Sequence, residues 1–98
     1  MTLAQFRSSL QKDVPPDGLS PALLGLWWDA KGHWGRAHES AQVDEGPDGA
    51  WVHAYLHRKE EDEANARYWY RRAGRTAGAG PFDQEWLEIA RTLLEVKG

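Results

Sequence analysis

Two histidines, His53 and His57, stand four residues apart in a segment without glycine or proline. On an α-helix this spacing puts both imidazoles on one face, where they could bind the same divalent metal ion. A zinc site needs a third protein ligand, and Ala54 replaces the glutamate of an HExxH motif, so no general base is built in. The pair alone leads us to expect no metal and no other cofactor. Metal or small-molecule binding by His53 and His57, with enzymatic activity, is kept as the alternative hypothesis.

The remaining histidines and the serines indicate no catalytic residue. His38 falls on the apolar stripe of its segment, which is typical of a hydrogen-bonded core histidine. His33 follows a turn glycine and is predicted to be a loop residue. Ser40 is not flanked by the glycines of a nucleophile elbow, and the chain has no phosphate-loop motif. These observations favour a protein that is not an enzyme.

A run of aromatic and basic residues at positions 65–72 is the second candidate for recognition. Trp69 and Tyr70 fall on the apolar stripe of this segment. The arginines near its end complement the helix dipole and can pair with the acidic residues 60–63. A second face of the segment lies outside the apolar stripe. It carries tyrosine and arginine, the residue types that anchor interfaces. The pattern predicts a binding patch for a protein or peptide partner, formed by Asn65, Tyr68 and Arg72.

The composition restricts the elements that can position these residues. The chain has 98 residues, enough for one domain, and its apolar bulk comes from leucine, alanine and 6 tryptophans rather than from β-branched residues. It has no cysteine, which excludes disulfides and thiolate chemistry and fits a cytoplasmic location. The sequence therefore predicts a single α-helical domain.

Charge and hydropathy exclude two classes of partner. The net charge of −3 offers no basic field, so we expect no nucleic-acid binding. The longest uncharged run, 18–28, is too short to span a bilayer, and the first residues lack the apolar core of a signal peptide. We therefore expect no membrane partner.

Six segments with helical periodicity are separated by glycine, proline and acidic breakers. They divide the domain into an N-terminal cap helix at 1–18, two helix hairpins at 19–74, a linker at 75–81 and a C-terminal cap helix at 82–98. The stretch 44–49 is predicted to be a loop, with the fourth helix starting after it. On a helical wheel of that helix, His53 and His57 lie opposite the apolar arc, which predicts a solvated or interfacial pair.

A weak internal repeat supports the hairpin interpretation. Shifting the chain by 29 residues aligns Ala37 with Ala66, each following a short turn. The stretch LLGLWWDAKGHWGRAHESA has a Leu-Gly pair, spaced aromatics, a turn glycine and an alanine, and in these features it resembles a tetratricopeptide repeat. The resemblance implies a short two-hairpin array with terminal capping helices. It also turns His53 and His57 toward the partner helix, against the wheel, and here we favour the wheel.

The string GAWVHAYLHRKEEDEANARYWYRRAG also resembles a small family of uncharacterised bacterial proteins, which implies no function. The leading hypothesis from the sequence is a small helical-repeat module that binds a protein or peptide. Homo-oligomerisation, with the surplus tryptophans covering another copy, is left open.

Overall fold

The computed structural model describes residues 1–95, and this part of the chain contains six α-helices and no strand. The all-α prediction is confirmed. The helices are α1 (Leu3–Ser9), α2 (Pro21–Ala30), α3 (Trp34–Val43), α4 (Pro47–Lys59), α5 (Glu63–Ala73) and α6 (Phe82–Glu95). Within these residues, none of the helices combines the length and apolar character needed to cross a membrane.

Local capping interactions and backbone conformation explain several helix ends. The Ser20 hydroxyl accepts a hydrogen bond from the backbone N–H of Leu23, and Pro21 occupies the first position of α2. At the end of α5, Gly74 takes the left-handed conformation with φ of 70°. This conformation favours glycine and closes the helix.

The start of α4 differs from the prediction. The stretch 44–49, predicted to be a loop, contains the first turn of this helix, with Pro47 at its first position. The Asp44 carboxylate accepts a hydrogen bond from the backbone N–H of Gly46 at 2.8 Å, which stabilises the tight turn before α4. Gly49 is present because α4 starts against the end of α3, and a Cβ there would overlap the Asp44 carbonyl oxygen. The glycine reflects close packing rather than a loop.

Helix α4 is at the centre of the packing. It contacts α2, α3, α5 and α6, and the most extensive helix pairs are α4 with α5 and α2 with α3. The core contains Trp27 and Ala66, with Trp34 and Trp69 packed half-buried against it. The two pairs are sequential hairpins, while the tetratricopeptide-like character of their arrangement stays a prediction.

Two buried carboxylates tie α4 to its neighbours. Asp29 on α2 accepts hydrogen bonds from the Tyr55 hydroxyl at 3.0 Å and from Lys59 Nζ at 2.9 Å. Burial, followed by the charge and hydrogen bond of Asp29, raises the pKa of Tyr55. A paired and hydrogen-bonded carboxylate is tolerated in the interior, where an unpaired one would be very costly. The pair therefore fixes α4 against α2.

Glu85 on α6 likewise ties α4 to its neighbours α5 and α6. It accepts Arg58 Nη1 at 2.8 Å and the Tyr70 hydroxyl. Gly78, in the predicted linker, packs directly against this carboxylate, because a Cβ there would overlap the Glu85 oxygens. Arg58 also donates to the Gly80 carbonyl. The linker is thus attached to the core through one ion pair.

Candidate metal centre

A third histidine joins the pair identified in the sequence. His38, on α3, lies against His53 and His57, on α4, with ring centroids 4.5 Å and 5.3 Å away. The rings of His53 and His57 are themselves 4.8 Å apart. His53 and His57 are buried and His38 is half-buried. Two adjacent helices therefore present three imidazoles to one point.

The wheel's prediction that His53 and His57 lie on a face away from the core is wrong. Only 4% of His53 and 7% of His57 is exposed. A helical wheel assumes that one face of the helix meets water. Residues 49–57 of α4 are all buried, so this stretch has no solvent face. The repeat alignment, which turned the two histidines toward a partner helix, indicated the correct direction.

The ring nitrogens are close enough to hold one ion. The Nε2 atoms of His38 and His53 are 2.8 Å apart, so one donates a hydrogen bond to the other. One nitrogen from each of the three rings lies within 4.8 Å of the others. Tetrahedral coordination with metal–nitrogen distances of about 2.0–2.1 Å places ligand nitrogens about 3.3 Å apart. Small side-chain rotations would bring the three rings to that separation.

Glu60 orients the third ring. Its Oε1 lies 3.0 Å from Nδ1 of His57, one helical turn away. When Nδ1–H donates to this carboxylate, Nε2 is left with a free lone pair. A carboxylate on the outer nitrogen of a metal-binding histidine fixes the tautomer and strengthens the ligand. Glu60 therefore supplies an outer-sphere partner of the kind that metal centres use.

A second grouping, His57 with Glu60 and Asp62, also lies within ligand distance. Its two acids are exposed, and Asp62 already caps α5 by accepting the backbone N–H of Asn65 at 3.3 Å. Exposed carboxylates engaged in capping are weaker ligands than converging buried imidazoles. The three-histidine group is the stronger candidate.

Two tryptophans enclose the histidines. Trp34 stacks on His38 with ring centroids 4.8 Å apart, and Trp69 stacks on His53 at 3.9 Å. The indole Nε1 of Trp34 donates to the Leu56 carbonyl at 3.1 Å, which holds the ring in place. Aromatic walls lower the local dielectric and limit the imidazoles to small rotations.

Burial and the neighbouring histidines lower the pKa of two of the imidazoles, those of His38 and His53. The pKa of His53 is lowered to about 4, first by burial and then by the charges that His38 and His57 would carry. Burial and His57 also lower the pKa of His38. Only a neutral imidazole offers a lone pair to a metal. The environment therefore favours the neutral form of His38 and His53, the form that can bind a metal, near pH 7.

The predicted patch of Asn65, Tyr68 and Arg72 is exposed. Arg72 Nη1 donates to the Tyr68 hydroxyl at 3.2 Å, so these two residues come together. Asn65 instead turns to the helix start, where its Nδ2 donates to Asp62. The Arg72 guanidinium lies 5.3 Å from the Trp69 ring, and Trp69 in turn stacks on His53. The two candidate sites from the sequence are therefore neighbours through one indole.

His38 and Glu60 are parts of this site that the sequence patterns did not indicate. His38 is 15 residues from His53, and only the register of the α3–α4 packing brings them together. The repeat alignment carried the useful signal, because it turned His53 and His57 toward a partner helix. Glu60 stands three residues after His57, a spacing that puts both on one helix face.

In comparisons with protein-family models, curated proteins and solved structures, no match to this chain was found.

Proposed function

We propose that this protein binds a divalent transition-metal ion through His38, His53 and His57. The observation that carries the proposal is the convergence of three imidazoles from two helices, each offering a nitrogen within 4.8 Å of the others. Glu60 supports the set from outside, and the tryptophan walls hold two of the rings. Three protein ligands leave one tetrahedral position for water or an external ligand.

The donor set indicates the class of ion. Imidazole nitrogens suit zinc, copper, nickel and cobalt, whereas magnesium and calcium prefer oxygen ligands. With no cysteine in the chain, the set lacks the thiolates that favour copper(I) or iron–sulfur clusters. A bound ion would join α3 to α4 and stabilise the folded chain by mass action. The proposal is therefore a zinc- or copper-type centre.

Calorimetric titration of metal-free protein with zinc chloride tests the proposal. We expect one equivalent to bind, and magnesium chloride to give no binding. Alanine at His38 or His53 should weaken zinc affinity by at least about 100-fold, because loss of an outer partner alone costs 10–100-fold. The control is His33→Ala, since His33 is exposed, makes no side-chain cap and lies outside the cluster.

The outcomes are distinct. Absence of saturable zinc binding by folded protein would refute the proposal. It would also be refuted if His33→Ala lowered zinc affinity as much as alanine at His38 or His53. Circular dichroism of each variant separates loss of a ligand from loss of the fold. His38 is half-buried rather than fully buried, so its substitution is expected to preserve the helices.

A second candidate function is protein or peptide binding at Asn65, Tyr68 and Arg72, on a short tetratricopeptide-like scaffold. The observation that favours it is Tyr68, a large aromatic that is 45% exposed and held by Arg72. Paired substitution of Tyr68 and Arg72 by alanine should lower capture of a partner from native cell extract while thermal melts stay unchanged. Unchanged capture with unchanged melts would remove this face from consideration.

A further inference from the structure

A separate cleft carries three arginines. It lies beside α5 and the connector that follows it, has a volume of about 540 Å³, and contains no acidic residue in its lining. Its lining residues are Ala64, Arg67, Tyr70, Arg71, Arg75 and Ala77. None of them belongs to the three-histidine group. The cleft is therefore a candidate site separate from the three-histidine group.

Helix α5, its C-terminal end and one aromatic ring position the three arginines. Arg67 and Arg71 are one helical turn apart on α5, so their side chains leave the same face. Arg75 follows the left-handed Gly74, and its backbone N–H donates to the Tyr70 carbonyl at 3.0 Å. Its guanidinium lies 3.9 Å from the Trp51 ring centroid. The helix end and this ring fix the position of Arg75, which lines the same cleft as Arg67 and Arg71.

None of the three arginines forms a close ion pair within residues 1–95. The sequence led us to expect that Arg67 and Arg71 pair with the acidic residues 60–63. Across residues 1–95, the ion pairs are His57–Glu60, Lys59–Asp29 and Arg58–Glu85, none of which involves the three arginines of the cleft. In a chain of net charge −3, the cleft is a local concentration of positive charge.

The chemistry of the lining points to a phosphate-bearing ligand. A guanidinium binds phosphate through two parallel hydrogen bonds, and three of them supply a charge that complements a di- or triphosphate. Ala64 and Ala77 are small and leave space between the arginines. The volume falls within the usual range for small-molecule sites. We propose that this cleft binds an anion with two or three linked phosphate groups, either free or as part of a nucleotide.

Calorimetric titration of the folded, metal-free protein with sodium pyrophosphate at about 150 mM NaCl tests this inference, since salt screens weak surface attraction. We expect saturable binding at one site. The variant Arg67→Gln with Arg71→Gln should bind at least about tenfold more weakly, because hydrogen bonds to charged groups are worth that much each. Arg91→Gln is the matched control, because Arg91 is exposed on α6 and does not line this cleft.

Further titrations identify the source of the phosphates and separate this cleft from the metal centre. Tighter binding of adenosine diphosphate than of pyrophosphate would support a nucleotide, and equal binding would support the free anion. A His53→Ala variant that retains pyrophosphate binding would show independence from the proposed metal centre. Absence of binding, equal binding by the double variant and the control, or equal binding of the tricarboxylate citrate would each overturn the inference.

Discussion

Trp69 lies nearly parallel to the imidazole of His53, with ring centroids 3.9 Å apart and planes 18° apart. The same indole contacts Tyr68 edge-on and lies 5.3 Å from the Arg72 guanidinium. The buried histidine group on α3 and α4 is thereby connected to the exposed face of α5. One indole therefore contacts both candidate sites.

This contact gives an optical test of metal binding. Copper(II) is paramagnetic and quenches indole fluorescence at short range, so titration of metal-free protein with copper should quench part of the tryptophan emission. The quenching should saturate at one equivalent. Phenylalanine at both Trp34 and Trp69 should remove most of the quenchable fraction, because these two rings stack on His38 and His53.

Trp28→Phe is the control for this experiment, since Trp28 contacts Trp27 and His33 rather than the three-histidine group. It should leave the amount of emission that copper quenches nearly unchanged. Full quenching in the Trp34 and Trp69 double variant would place the copper elsewhere.

Glu60→Gln should lower zinc affinity by about 10–100-fold, as loss of an outer-sphere partner does at other metal centres. The change removes the carboxylate that accepts Nδ1–H of His57 at 3.0 Å. The side chain of Glu60 is 43% exposed, so the melting temperature of the metal-free protein should change little. Zinc titration and thermal melts measure the two effects separately.

The neighbouring Glu61→Gln variant makes the same change in charge at an exposed residue that lies outside both candidate metal groups. It should bind zinc almost as the parent does. Similar losses in both variants would mean that net charge, rather than orientation of His57, controls affinity.

Much of the fold is predictable because its signals are local. The Ser20–Pro21 helix start and the Gly74 helix end depend on residues within one turn, and both lie where the pattern puts them. The burial of His53 depends on helices on every side of α4, and that information is absent from a single helical wheel. The contact between His38 and His53 depends on the register between two helices. These long-range contacts between helices form the site. Of these contacts, the repeat alignment indicated only that His53 and His57 face a partner helix.

The metal-free protein should lose stability as the pH falls from about 6.5 to 4. In the unfolded chain an ordinary histidine takes up a proton below a pKa of about 6.5, whereas folded His53 does so only near 4. The unfolded state therefore binds more protons in this interval, and the free energy of unfolding decreases by at most about 1.4 kcal/mol per pH unit from this residue. Urea unfolding at pH 7 and pH 5 in chelator-treated buffer measures this decrease in the free energy of unfolding.

His53→Gln removes this titrating group, so its stability should depend less on pH between 7 and 5 than that of the parent. His33→Ala should keep the parent's dependence, because His33 is exposed and lies outside the buried group. A parent whose stability is constant over this interval would contradict the lowered pKa of His53.

Gly49→Ala should destabilise the protein and weaken zinc binding together, because Gly49 sets the distance between the helices that carry the ligands. Its added Cβ would overlap the Asp44 carbonyl oxygen and lie 2.8 Å from that of Ala41. Both obstacles are backbone, so α4 must move away from the end of α3, and we expect a cost of about 1–3 kcal/mol. Gly35→Ala is the matched control: its Cβ meets nothing within 4 Å, and alanine in a helix should stabilise by up to about 1 kcal/mol. Urea unfolding and zinc titration of both variants provide the measurements. If Gly49→Ala were as stable as the parent and bound zinc equally well, the close α3–α4 junction would not be what positions His38 against His53.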